Sequence, residues 1–187
     1  IGKSWAKGLI NAVLRKINSE KISAQDSANL SHPSWLIKKL KQDYPKHYKK
    51  ILQENNKQAP MTIRVHPSIN IDKYQQQLEE IGVVSKTSIV APQALILEMP
   101  VDINILPRFA DGSCSVQDVS AQLAGHLLNP QEGESILDAC CAPGGKTTHL
   151  AELCPKATIM ALDHDSKRLS KVSENIARYE HKNINIQ

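Results

Sequence analysis

The stretch Asp138-Ala-Cys-Cys-Ala-Pro-Gly-Gly-Lys146 gathers a carboxylate, two thiols, an ammonium and paired glycines directly after the apolar run Ser135-Ile-Leu-Asp138. Gly144 and Gly145 carry no side chains, so backbone N–H groups there can come close to a ligand. Three ligand chemistries compete for such a loop. A phosphate loop requires G-x-x-x-x-G-K-[ST]; Gly145-Lys146-Thr147 supplies its tail, but the position five before Gly145 is Cys140. A dinucleotide turn requires G-x-G-x-x-G, whereas these glycines are adjacent and follow Pro143. The third chemistry is S-adenosylmethionine. The backbone from Cys140 to Lys146 would wrap the methionine and ribose end, and an acid closing the next strand would accept from both ribose hydroxyls. Asp163, 25 residues beyond Asp138, is that acid. Its competing role is to cap a helix from Ser166 onward, for which Asp165 is better placed.

The elements that must hold this loop follow from periodicity. Ser135 to Asp138 reads as a buried strand, Gly145 to Leu153 as a helix and Thr158 to Asp163 as a second strand. Leu169, Val172, Ile176 and Tyr179 then mark an amphipathic helix, and a third strand begins at Ile184. Strand and helix in alternation imply a parallel sheet with crossover helices. Upstream, Ser115-Val-Gln-Asp118 reads as a capping box leading into a helix with a Val119, Leu123, Leu127, Leu128 stripe.

Residues 61 to 100 read β-α-β-β. Met61, Ile63 and Val65 alternate with Thr62, Arg64 and His66 as a strand does. Asn70 caps a helix carrying Ile71, Tyr74, Leu78 and Ile81 on one face, Gly82 stops it, and Ser88 to Val90 and Ala94 to Met99 supply two further strands. Ahead of this unit, Trp35, Leu36, Ile37 and Leu40 space like a helix that Pro45 interrupts. Lys46 to Glu54 continues it, with Ile51 and Leu52 inward. Another helical stripe runs from Trp5 to Ile17 through Leu9, Ile10, Val13 and Leu14.

Charge divides the chain. Residues 1 to 60 hold 12 Lys and Arg against 4 Asp and Glu, and the remainder holds 11 against 15, for a net charge of +4. Lys38, Lys39 and Lys41, with Lys46, Lys49 and Lys50 and the rings of Trp35, Tyr44 and Tyr48, suit a phosphate backbone with bases to stack; a solvated helix face reads the same way. Hydrophobic residues make up 41% of the 187, enough for a folded core, and no apolar run nears the ~20 residues that span a bilayer. Cys114, Cys140, Cys141 and Cys154 have no C-x-x-C spacing, which predicts reduced thiols in a cytoplasmic protein. Cys114, Cys141 and Cys154 read as small buried residues, and His126 and His149 lack metal-ligand spacing.

Three blocks together resemble a known family: Ser115-Val-Gln-Asp-Val-Ser-Ala-Gln122, Gly133-Glu-Ser-Ile-Leu-Asp-Ala-Cys-Cys-Ala-Pro-Gly-Gly-Lys-Thr-Thr-His149, and Ala161-Leu-Asp-His-Asp165 with Arg168-Leu169. They are similar to the Sun/Fmu (NOP/Sun) RNA cytosine-5 methyltransferases, in particular the bacterial members that act on 16S ribosomal RNA. Gly8-Leu-Ile-Asn-Ala-Val-Leu-Arg15 resembles the last helix of the family's NusB-like RNA-binding domain, and His32-Pro-Ser-Trp35 and Pro60-Met-Thr-Ile-Arg-Val65 resemble its linker region. The resemblance implies a multidomain α and α/β chain. Residues 1–30 would be the end of a NusB-like helical domain, 31–110 a helical plus small α+β RNA-binding domain, and 111–187 the N-terminal part of a Rossmann-like class I methyltransferase sheet.

It also implies methyl transfer from S-adenosylmethionine to carbon 5 of a cytosine in 16S ribosomal RNA. A cysteine thiolate adds to carbon 6 so that carbon 5 can take the methyl group. Cys140, Cys141, Ala142, Pro143, Gly144, Gly145 and Lys146 would contact the cofactor, and Asp163 its ribose. Lys38, Lys39 and Lys41 would meet RNA, with no metal and no membrane involved. Cys141 stands where the family more often has alanine. The family's nucleophilic and release cysteines lie further along, so they are expected beyond Gln187, and this piece alone is expected to be inactive. Two other readings use the same residues: a non-catalytic RNA-binding or assembly fragment, and a methyltransferase with a non-RNA acceptor.

Overall fold

A hydrophobic strand pair and a glycine-opened helix dominate the C-terminal half because each can bury one face against the other. The computed structural model describes Gly8, residues 10–12 and residues 30–187, which fall into two separately packed units, Ile1–Ala59 and Pro60–Gln187. The helix expected from Trp5 to Ile17, and with it the NusB-like reading, lies mostly outside the described residues.

In the first unit, α1 (Ser34–Asp43) and α2 (Tyr48–Asn55) are separated by a turn through Pro45. Ile37 of α1 and Leu52 of α2 are buried, whereas Ile51 faces solvent rather than inward.

The second unit is mixed α/β, with two sheets. Strands β1 (Thr62–Val65), β2 (Ser85–Thr87), β3 (Ala94–Leu97) and β4 (Cys114–Val116) form an antiparallel sheet in the order β2-β3-β1-β4. Helix α3 (Ile71–Glu80) covers one face. Ile63, Val65, Tyr74, Leu78, Leu95 and Leu97 form the core there. The Asn70 side chain accepts from the Lys73 N–H at 3.0 Å, which caps α3 as its sequence predicts.

Three expectations change in this sheet. Thr62 and Arg64 do not face water; all four β1 residues are buried, because the sheet is covered on both faces. The strand expected at Ser88–Val90 lies three residues earlier. The Ser88 hydroxyl accepts from the N–H groups of Val90 and Ala91, closing a turn that leaves Ile89 in solvent. Ser115 is not a helix cap but the middle of β4. Asp118 accepts from Ser120 N–H and caps α4 (Val119–Leu128) instead. The inward face of α4 is Gln122 and Gly125, while Leu127 and Leu128 are exposed.

The second sheet is parallel, β5 (Ser135–Asp138), β6 (Thr158–Ala161) and β7 (Ile184–Ile186) in that order, with α5 (Gly145–Leu153) and α6 (Ser166–Tyr179) as its crossovers. Ile159 is fully buried in the central strand, and Val172 is fully buried in α6. Leu137 is exposed and no residue of β5 is fully buried, so the strand differs from the buried one its composition suggested. Arg178 of α6 donates to the carbonyls of Phe109 and Cys114 at 2.8 and 2.9 Å and lies against the Phe109 ring, fastening this sheet to the segment that feeds β4.

Candidate cofactor site

Residues 139–144 leave the carboxyl end of β5 and enter α5. The turn into the helix requires a glycine at 144. Its φ is +101°, a region that side chains rarely adopt, and a Cβ there would sit 3.4 Å from Val172. Gly145 needs no such φ; a Cβ on it would meet only the Gln117 amide nitrogen at 4.0 Å. At the start of α5 the N–H groups of Gly145, Lys146 and Thr147 have no carbonyl within the helix to bond, and the helix dipole adds positive potential. Such a turn suits the carboxylate or the other acceptors of a small polar ligand.

Side chains on both flanks fix the loop. Asp138 accepts from the Thr147 hydroxyl at 2.7 Å and from the Cys140 N–H at 3.3 Å. Asp163, just past β6, accepts from the N–H of Ala142 at 3.2 Å and of Asp165 at 3.1 Å. The Cys141 N–H donates to the Leu162 carbonyl at 2.9 Å. From α6, Arg168 donates to the Ala142 carbonyl at 2.9 Å and Asn175 to the Pro143 carbonyl at 2.8 Å. The Ala142–Pro143 peptide is cis.

The sequence-predicted residues therefore come together, with different environments. Cys140 and Lys146 are exposed, and Pro143 is exposed beside them. Cys141 and Ala142 are buried against Ala161 and Val172. Burial pushes the Cys141 thiol up, and the nearby Asp138 and Asp163 carboxylates push it further. The Asp163 side chain is 2% exposed. The Asp165 N–H holds its carboxyl below the usual carboxylate range, against desolvation and with help from the Ala142 N–H, Arg168 and His164. Its Oδ2 takes the N–H of Ala142 in the loop and Oδ1 that of Asp165 beyond it, and His164 Nδ1 at 3.4 Å and Arg168 Nη1 at 3.6 Å also face Oδ1. Asp165, not Asp163, caps α6, accepting from Lys167 and Arg168 N–H groups.

Lys38, Lys39 and Lys41 lie on α1, in the first unit, all exposed. Lys39 pairs with Asp43 at 3.2 Å, and the Lys41 ammonium stands 5.9 Å from the Tyr48 ring centroid. Trp35 is 70% exposed on the same helix.

Sequence reasoning missed the residues behind the loop. Arg64 of β1 forms a two-bonded pair with Glu152 of α5, Nε to Oε2 at 2.9 Å and Nη2 to Oε1 at 2.5 Å. Their side chains are 0% and 1% exposed. Arg64 Nη1 donates to the Gly145 carbonyl at 3.0 Å and to Gln117 Oε1. Beside them His149 is buried edge-on to His126, and burial, then the Arg64 charge, lowers its pKa to about 3. No local pattern marks Arg64 as buried, since alternation with Ile63 and Val65 assigns it to the opposite, solvent-facing side of the strand. Among the described residues no group of three His, Cys, Asp or Glu is placed to hold a metal, and no helix is long and apolar enough to cross a membrane. An open surface depression is lined by Ile176, Ala177, Ile184 and Ile186, three of which also pack against the cluster of Cys141 and Ala142.

Comparison with known proteins gives two family matches. The ferredoxin-like domain of RsmF/B-like methyltransferases matches residues 32–104, and the 16S rRNA methyltransferase RsmB/F family matches residues 125–187. The ribosomal RNA small subunit methyltransferase B of Vibrio cholerae is 46% identical over 181 residues, covering 93% of this chain and 42% of the relative. The crystal structure of PH0851 is similar with a TM-score of 0.86 at 29% identity, over 98% of this chain and 43% of that one. A methyltransferase homolog protein from Pyrococcus horikoshii is similar with a TM-score of 0.76 at 26% identity, over 86% of this chain and 54% of that one. The chain thus spans less than half the length of the curated relatives it matches.

Proposed function

The chain belongs to the 16S rRNA methyltransferase RsmB/F family, and from that premise we propose that it holds the S-adenosylmethionine site of an enzyme that methylates carbon 5 of a cytosine in 16S ribosomal RNA. The observation that carries this reading is the conjunction at one strand edge: a glycine turn with three helix-unpaired N–H groups and, bonded to it, a shielded carboxylate. The cofactor, when bound, supplies an electrophilic methyl group on a sulfonium.

The residues present fit that group. Gly144 leaves no Cβ over the turn, and Cys140 to Lys146 present main chain. Asp163 offers two acceptors to a ribose diol while its loop bonds stop it from turning away. Because Asp163 is held ionised, it meets the diol as a charged acceptor, the stronger kind. Lys38, Lys39 and Lys41 meet RNA phosphates, with Trp35 beside them for stacking.

None of the four cysteines serves as the nucleophile that adds to carbon 6. Cys114 accepts from the Tyr74 hydroxyl at 3.0 Å in the core, and burial raises its pKa. Cys141 and Cys154 are buried. Cys140 is exposed but lies in the loop that wraps the donor, whereas the thiolate must reach the base from the far side of the ring. The 187-residue chain alone is therefore inactive in methyl transfer.

The test is calorimetric titration of S-adenosylmethionine into the full-length enzyme and its Asp163→Ala variant. Loss of a charged hydrogen-bond acceptor predicts about ten- to a hundredfold weaker binding. Equal affinities would remove Asp163 from the site.

A further inference from the structure

We propose that Arg64, a residue of the N-terminal sheet, is a positioning residue for the methyl donor: it holds the carbonyl of Gly145 and thereby sets the first turn of α5. This inference rests on the reading of the glycine loop as the cofactor site.

The guanidinium has five N–H groups, and each has an acceptor. Nε and one Nη2 proton go to the two Glu152 oxygens, and the other Nη2 proton points to the Thr148 hydroxyl at 3.4 Å. The Nη1 protons go to Gln117 Oε1 and the Gly145 carbonyl. Stability alone gives a poor account of such a cluster, since an apolar pair of similar volume commonly serves a core as well as a buried ion pair does. What an apolar pair cannot do is donate to the loop.

The donation falls where the backbone is loosest. Two adjacent glycines have more conformational freedom than any other dipeptide, and nothing in their own side chains can restrain them. The restraint comes from neighbours. Gly145 O accepts from Arg64 and, at 3.3 Å, from Gln117 Nε2, while Gly144 O accepts from the Thr148 hydroxyl at 2.9 Å. Gln117 is itself fixed, its N–H donating to the Thr62 carbonyl at 3.0 Å and its carbonyl accepting from Gln122 at 2.9 Å. Gly145 thus takes its orientation from β1 and from the residue that follows β4, whereas the Gly144 carbonyl is held by Thr148 of α5 itself. The unpaired Lys146 N–H in the first turn of α5 is aimed by the same contacts, because it shares a peptide plane with the anchored Gly145 carbonyl.

Full-length Arg64→Met and Arg64→Met/Glu152→Met proteins test this with three readouts: melting temperature, hydrogen exchange of the Thr148 and His149 amides without cofactor, and affinity for S-adenosylmethionine. The single variant strands Glu152 and is expected to melt roughly 6–20 °C lower. The double variant is expected to recover most of that loss. Its Thr148 and His149 amides, whose helical acceptors are the two glycine carbonyls, nonetheless exchange about tenfold faster or more than in the wild type, and its cofactor affinity stays about tenfold weaker or more. Recovery of loop protection along with melting temperature would overturn the proposal.

Arg64→Lys keeps the charge toward Glu152 and gives up the fork, so it repeats the test should the double variant not fold. Faster exchange confined to the start of α5 supports positioning, and a uniform loss across β1 and α3 contradicts it. If the wild-type protein binds no S-adenosylmethionine, the cofactor reading fails by itself, and the exchange data still decide the role of Arg64.

Discussion

At the scale of residues, groups that are neighbours in sequence differ in the contacts they make. Asp138 and Asp163 flank one loop and both accept backbone N–H groups, yet only Asp163 closes the second strand, where a diol would lie. Cys140 and Cys141 are neighbours, yet one is exposed and the other buried with a raised pKa. Cys140→Ser in the full-length enzyme is expected to keep most activity, with any loss appearing in the Michaelis constant for the cofactor; a loss of kcat by more than about a hundredfold would make Cys140 part of the chemical step.

His149 gives a pH prediction. Its folded pKa of about 3 lies below the model-peptide value of ~6.5, so between those values the unfolded chain binds the proton and the folded one does not. Stability contributed by the neutral ring is complete above pH ~6.5 and is lost as pH falls toward 3, at up to ~1.4 kcal/mol per pH unit. His149→Gln is expected to flatten denaturant-midpoint curves between pH 6 and 4; an unchanged slope would place the acid sensitivity elsewhere. The glycine loop and Asp163 were legible because loop, strand end and acid follow one another in sequence. Arg64 was not, because its partner Glu152 is 88 residues away and strand alternation assigns a charged residue to solvent.

At the scale of elements, sequence reading did best where period and punctuation agree. α3 has an Asn70 cap and a Gly82 stop, and α5 and α6 begin at a glycine turn and at the Asp165 cap. Asn70→Ala should cost about 1 kcal/mol, seen as a lower urea midpoint at unchanged slope. Reading did worst where side chains act on nearby backbone. Ser88 turned an apolar Ile89-Val90 pair into a loop tip, and β4 appeared in a segment read as a helix start. The leucine stripe of α4 misled because Gly125, not leucine, meets α5: a Cβ there would lie 2.8 Å from Leu153 and 2.9 Å from His149.

On α1, replacing Lys38, Lys39 and Lys41 with alanine is expected to flatten the dependence of log K on log salt for RNA by about two units. The exposed Lys39–Asp43 pair is no obstacle, since such pairs are worth at most ~1 kcal/mol. An unchanged slope would make the helix face a solvated surface only.

At the scale of the whole second unit, two sheets of different construction share one polar core. The antiparallel sheet supplies Arg64, the residue after its strand β4 is Gln117, and the parallel sheet supplies the strand ends and α5. Parallel order was predictable from strand–helix alternation, whereas the covering of β1 on both faces was not, since it depends on which helix docks there. The central claim is that the ligand of this chain is S-adenosylmethionine, held at the carboxyl edge of β5 and β6. Titrating S-adenosylmethionine into isotope-labelled protein and following each backbone amide by NMR tests it most directly. Saturable shifts concentrated at Cys140–Thr147 and at Asp163–Asp165 are expected. Shifts centred on the Ile176–Ile186 depression, or a glycine loop that does not respond at saturation, would contradict it.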